Sequence, residues 1–458
     1  MKRKLLAMIM AAVMCATMLT GCGQGDDAQK QASVTEDNNG KKSEGTVTLR
    51  FWGGVPQESG PQDVVDHFNE AFKDKGIQVE YERYVNDDQG NLKLETSLLA
   101  GNDIDVYISY GAYKMLKRAG GGMALDLSEF MEKDGFDYEG MFGSSVTSEY
   151  LDGKPYSIAT VLTKGTLLLN KDMFDAAGIP IPTEWTFEEF RDVCKKLTHG
   201  EGQDKVYGMF WNTQQNVTEY WLYLAKQTLG GDLYYKEGGL ETDFDNDVIK
   251  KTAELIYNTM NVDGTAPTHV DSVTEKLTQE GMFLSGRSAM TVGNWAIRSV
   301  KNTEEYPHDF VTAYAPYPVI EKGERNYTYG GLGDEISINP KSEHIDAAWE
   351  FVKWYATEGV TYMAGGGRIG LCNTLDKDIL AAAFSEGAEK LIDMDSAKPL
   401  IFPVENEKLT LSTITTELPM LEKILAEETE AYLTGAKDLD AAFADAKKRG
   451  DDALASAQ

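Results

Sequence analysis

Gly365, Gly367 and Gly370 satisfy the spacing G-x-G-x-x-G, which at a strand-to-helix turn lets backbone amides cradle a pyrophosphate. Here the run follows a helical pattern and Leu371-Cys372-Asn373 opens no convincing helix, so a flexible turn is expected. Asp243, Asp245, Asp247 and Glu254 stand at positions 1, 3, 5 and 12 of a calcium loop, but Val248 fills the sixth place, where the bend needs glycine. A helix beginning after Asn246, with acidic residues in its first turn, is the better reading. The histidines His67, His199, His269, His308 and His344 are scattered, with no second His or Cys at ligand spacing, so neither a metal nor a cofactor is expected. There is no G-x-S-x-G elbow and no papain-like cysteine context, and the carboxylates carry no glycosidase signature. What remains is rings. The 458 residues include 22 Tyr and 7 Trp, in a chain whose Asp and Glu outnumber Lys and Arg by 74 to 44, a formal charge of −30. That balance argues against a broad nucleic-acid surface.

Regular elements must carry those rings. The length suits two or three lobes with a real core. Val47, Leu49 and Phe51 alternate as a strand ending at Gly53-Gly54. A helix from Pro61 follows, with Val64, Val65, Phe68 and Phe72 at helical spacing and Gly76 as its stop. Ile77, Val79 and Tyr81 alternate again, a helix runs through Leu92 to Leu99, and Ile104 to Ser109 is a third strand. The alternation predicts an α/β fold with a largely parallel sheet. Thr186 and Glu189 form a capping box, and Trp185 and Phe190 a hydrophobic staple, for a helix through Leu197. Another helix is predicted from about Glu343 to Tyr355.

The N-terminus speaks to location. Lys2, Arg3 and Lys4 precede an apolar run from Leu5 to Leu19, too short to span a bilayer but suited to a signal peptide. It ends in Leu19-Thr20-Gly21-Cys22, which resembles the lipobox of bacterial lipoproteins, so Cys22 is the expected lipid anchor after cleavage; a plain secretory signal is the alternative. Residues 22–45 are polar and lack aromatics, and read as a flexible tether. Only Cys194 and Cys372 then remain in the body. A free buried thiol is the reading for Cys194, with a Cys194–Cys372 disulfide as the alternative.

Several blocks together resemble the family 1 extracellular solute-binding proteins, the carbohydrate-capturing subunits of ABC importers. Leu151-Asp152-Gly153-Lys154-Pro155-Tyr156-Ser157-Ile158 is similar to the family's D-G-K-x-Y-x-x-P block, with Ala159 where Pro is usual. Leu168 to Phe174, then Gly178, and Pro182 to Phe190 are similar to its Y-N-K-D-x-F, A-G and P-x-T-W-x-E-F run, with Leu169 in place of Tyr. Phe283 to Met290 with Gly293-Asn294-Trp295, Gly330-Gly331 with Ile336 to Ile338, Ala347 to Phe351, Glu358-Gly359 and Leu433-Thr434-Gly435 complete the order.

The resemblance implies a two-lobed, type II periplasmic-binding-protein-like fold with three hinge crossings. Behind a signal peptide at 1–21, it places 46–160 and 308–358 in lobe I and 161–307 and 359–458 in lobe II. It also implies a binding protein without catalysis, a sugar or oligosaccharide ligand, and permease and ATPase partners in the membrane. The body is expected to act as a monomer, lipid-anchored to the outer face of the cytoplasmic membrane.

A sugar offers an apolar C–H face and a rim of hydroxyls, so rings and polar groups on loops between lobes would form its site. Trp52, Tyr110, Asn294 and Trp295 stand on such loops, and Trp211, Asn212, Tyr220 and Trp221 occupy the segment that supplies rings in maltose-binding proteins. Asp334 could reach a hydroxyl or be an exposed turn residue, Tyr220 could be a surface residue, and Trp221 could pack in lobe II. Trp185, Trp349 and Trp354 lie on helices and read as structural. A charged solute such as a polyamine and a surface glycoside hydrolase are the competing readings. Those loops show no Arg pair, which argues against phosphate.

Overall fold

A computed structural model describes residues 45–101, 104–214, 217–293, 297–404 and 407–457. Cys22, Asn294 and Trp295 lie outside the described residues.

Among the described residues, nine strands form two sheets. β1 (Val47–Gly53), β2 (Ile77–Arg83), β3 (Val106–Ser109), β4 (Ile158–Lys164), β8 (Gly330–Ile338) and β9 (Ile369–Gly370) make the larger, in the order β2-β1-β3-β8-β4-β9. β5 (Leu167–Asn170), β6 (Met290–Val292) and β7 (Thr312–Ala315) make the smaller, with β5 in the centre. In β1 the alternation holds. Leu49 and Phe51 are buried under the helices Pro61–Ala71 and Ile345–Thr357, where Phe51 meets Phe351 and Tyr355 edge-on at 5.1 and 5.6 Å. Burying a ring of that size stabilises by about 1.5–3 kcal/mol. Gly76 ends the first helical segment at φ 67°, a left-handed turn that glycine adopts without strain.

The second body packs on the smaller sheet. Its capping box is present: Glu189 N–H donates to Thr186 Oγ1 at 3.2 Å and Thr186 N–H to Glu189 Oε2 at 2.9 Å. Trp185 and Phe190 meet edge-on at 5.2 Å, and the helix runs Phe187–Leu197. Helices Glu219–Leu229, Asp247–Tyr257, Leu418–Leu433 and Leu439–Ser456 close that core. Asn246 caps the Asp247 helix through its side chain, in line with the helical reading of the acidic run.

Two expectations need correction. The larger sheet is mixed: β1 is parallel to β2 and β3, whereas β8 is antiparallel to β3 and β4, and β9 to β4. The chain leaves by β4 and re-enters by β8, so these neighbours run in opposite directions. For the same reason the return to the larger sheet comes later than residue 308, because β7 pairs with β5 in the smaller sheet. Cys194 and Cys372 are free and buried in separate cores, in line with the free-thiol reading, and form no disulfide. Among the described residues the chain passes between the sheets from β4 to β5 and from β7 to β8, and after β9 it continues as helices, of which Leu418–Leu433 and Leu439–Ser456 join the second core.

Candidate functional site

Parallel β1, β2 and β3 bring their carboxyl ends to one edge, where open α/β sheets bind ligands. Gly54 is the hub there. Its N–H donates to Tyr110 Oη at 2.5 Å and its carbonyl accepts from Arg83 Nε at 3.3 Å. A Cβ at Gly54 would stand 2.7 Å from the Tyr110 ring, so glycine is what lets the ring close in. Tyr84 lies 6.2 Å from Tyr110 and donates to Ile108 O at 2.8 Å, while Tyr81 donates to Val55 O at 2.6 Å. Together they form an aromatic floor.

β8 supplies the charge. Ser109 pairs with Glu335, so the next step of the register sets Tyr110 opposite Asp334. Asp334 adopts φ 49° inside a strand, a left-handed conformation that Asp tolerates better than most residues. Its Oδ2 is 3.2 Å from Arg368 Nε, close enough for strong attraction though not aligned as a hydrogen bond. The Arg368 guanidinium stands 5.9 Å from the Tyr110 ring centre. Burial pushes the Asp334 carboxyl above its ordinary range, opposed by Arg368 and Arg298, while Asp334 pushes Arg368 up and keeps it charged. Arg298, on the short helix Ile297–Lys301, is drawn in because that helix packs on the 359–366 turn, with Lys301 Nζ donating to Gly365 O at 3.0 Å.

Behind the edge lies a pair of buried acids. Glu335 Oε2 accepts from Gly111 N–H at 2.9 Å and so fixes the Tyr110-Gly111 turn, where Gly111 has φ 103°. Burial raises its carboxyl well above the usual range, and Glu149 nearby adds to this. Burial lifts Glu149 itself to about 8.

The expected site residues divide. Tyr110 is half-buried at the edge. Trp52 sits just behind it, 5% exposed among Tyr84, Leu94, Leu98 and Tyr107, with Lys93 Nζ 4.6 Å from its ring centre, so that face is covered. Asp334 is not an exposed turn residue; it is buried and holds Arg368 against Tyr110. Trp211 and Trp221 are both fully buried in the core of the second body, which for Trp221 is the packing reading. Trp211 donates to Thr259 Oγ1 at 3.0 Å, and Trp221 meets Phe443 at 5.7 Å. Neither has a free face for a ligand. Asn212 and Tyr220 are buried beside them, the latter edge-on to Tyr223 at 5.8 Å.

Arg83, Arg298 and Arg368 were not anticipated. The carboxyl-end rule for parallel strands could have found Arg83, the last residue of β2, but nothing local marks the other two. Elsewhere, a hollow of about 470 Å³ between helices Phe187–Leu197 and Asp247–Tyr257 contains Arg191, whose guanidinium is bound by Asp263 at 2.7 and 2.9 Å. Among the described residues, no group of three or more His, Cys, Asp or Glu side chains is gathered to hold a metal.

Residues 55–362 match the family model described as bacterial extracellular solute-binding protein. A maltotriose-binding protein of Pyrococcus abyssi is 31% identical over 180 residues, 38% of this chain and only 35% of that relative's length. The diacetylchitobiose binding protein DasA of Streptomyces coelicolor is 24% identical over 438 residues, 91% of this chain and 94% of that one. A sugar transporter of Rhizobium etli, solved in an open conformation, shares the fold at TM-score 0.70 and 20% identity, over 88% of this chain and 98% of that one. With a family model spanning well over half its residues, the chain belongs to the bacterial extracellular solute-binding proteins.

Proposed function

We propose that this chain is the substrate-capturing subunit of an ABC importer, which holds a sugar or oligosaccharide between two lobes and passes it to a permease driven by an ATPase. The observation that carries the reading is the strand-end edge at Gly54. There a half-buried ring, Tyr110, lies beside guanidinium donors, the pairing a saccharide's C–H face and hydroxyl rim require. The relatives named for maltotriose and diacetylchitobiose lend support. Contacts from both lobes favour a closed state, and only that difference in affinity shifts the population. The lobes are built on the two sheets, lobe I running to the end of β4 and returning with β8. Cys22 carries the lipid, residues 22–45 form the tether, and the body works as a monomer at the outer face of the cytoplasmic membrane. A polyamine is disfavoured, since two guanidiniums beside one carboxylate, with Arg83 near Arg298, repel a cation.

Titrating the full chain with a panel of oligosaccharides is expected to change its Trp emission and raise its Tm. A ligand at a hundred times its Kd adds about 2.7 kcal/mol, which for a chain of this size is roughly 3 °C. If every saccharide is silent while a cationic solute moves both signals, the carbohydrate reading fails.

A further inference from the structure

The charges at the strand-end edge run against those of the whole protein. The chain carries 74 acids to 44 bases, yet Arg298 and Arg368 gather around one carboxylate, Asp334, and Arg83 lies within Coulombic reach of Arg298. Arg368 is taken up by Asp334 at 3.2 Å. Arg83 spends its Nε on the Gly54 carbonyl and has no carboxylate within 4 Å among the described residues. Arg298 is half-buried, and among the described residues it has neither a hydrogen-bond acceptor nor a carboxylate within 4 Å. Arg83 comes from the end of β2 and Arg298 from the helix after β6; they lie within Coulombic reach of each other, and Arg298 also of Asp334 and Tyr110. Burial and the neighbouring guanidiniums both work against the charge on Arg298. Closing such a site on a neutral sugar would leave two desolvated cations without a counter-charge. An oxyanion would fill that role, since a guanidinium fork matches carboxylate, sulfate and phosphate oxygens in pairs.

We propose that the saccharide captured here bears an oxyanion group, placed between Arg83 and Arg298 while its ring lies on Tyr110. This rests on the sugar-binding reading above. It makes the ligand an acidic saccharide: a uronate, a sulfate ester or a phosphate ester.

Calorimetric titration of the full chain tests it with matched pairs: galactose oligomers against oligogalacturonates of equal length, a neutral disaccharide against its sulfate ester, and a hexose against its phosphate. The expected result is that one acidic member binds at least ten-fold more tightly than its neutral partner, with the preference shrinking as salt rises. Arg298→Ala is expected to cost that member about ten-fold or more at unchanged Tm, and Arg83→Gln, on an exposed side chain, provides a second variant should the first misfold. The arm that binds identifies the oxyanion. Neutral members that match or exceed their acidic partners would overturn the oxyanion while leaving sugar capture intact. Silence from every saccharide would overturn both.

Discussion

Raising the pH from 5 to 8 is expected to destabilise the fold through one buried acid, Glu149. Burial holds its carboxyl up to about 8, whereas an unfolded chain titrates Glu near 4.3. The folded state therefore keeps a proton that the unfolded state has already released. Stability linked to Glu149 is fully present below about pH 4.3 and is lost as the pH rises toward 8, with a slope of about 1.4 kcal/mol per pH unit. From pH 5 to 8 this amounts to about 4 kcal/mol, or roughly 4–5 °C in Tm for a chain of this size. Glu149→Gln keeps the shape and removes the titration. Scanning calorimetry of both proteins at pH 5, 6, 7 and 8 should show a falling Tm for the parent and a flatter line for the variant. Parallel lines would refute the account of a buried, proton-holding carboxyl. Glu335 sits beside Glu149 and holds the Gly111 amide, so the double variant should be flatter still.

Trp211→Ala and Trp221→Ala should each lose about 3–5 kcal/mol of stability, as core deletions do, with ligand affinity measured well below Tm unchanged. A weakened affinity at constant Tm would return either ring to the cleft. Cys22→Ser should abolish incorporation of labelled fatty acid in cells that export the protein; undiminished labelling would remove the anchor.

Local signals carried much of the first body and the helix boundaries. The alternation in Val47–Gly53, the stop at Gly76 and the Thr186–Glu189 box depend on residues within a few positions of one another, and each reappears in the structure. The direction of β8 and the sheet to which β7 belongs depend on crossings hundreds of residues apart, which no periodicity records. The site divides along the same line. Tyr110 could be placed because it directly follows a strand. Trp221 looked available because the helix that sets Phe443 against it, Leu439–Ser456, arrives some two hundred residues later, and Trp211 because Thr259, which accepts from it, is some fifty residues away. Arg83, Arg298 and Arg368 stand far apart in the sequence and approach one another only after the chain has crossed between the sheets, which no local pattern records.

The position of a bound saccharide, seen in a crystal structure with the tightest binder from the panel, tests the central claim most directly. The account predicts a sugar ring in contact with Tyr110, with polar contacts to Arg83 and Arg298. A saccharide seated instead in the hollow beside Arg191, or inserted against Trp211 and Trp221, would contradict it.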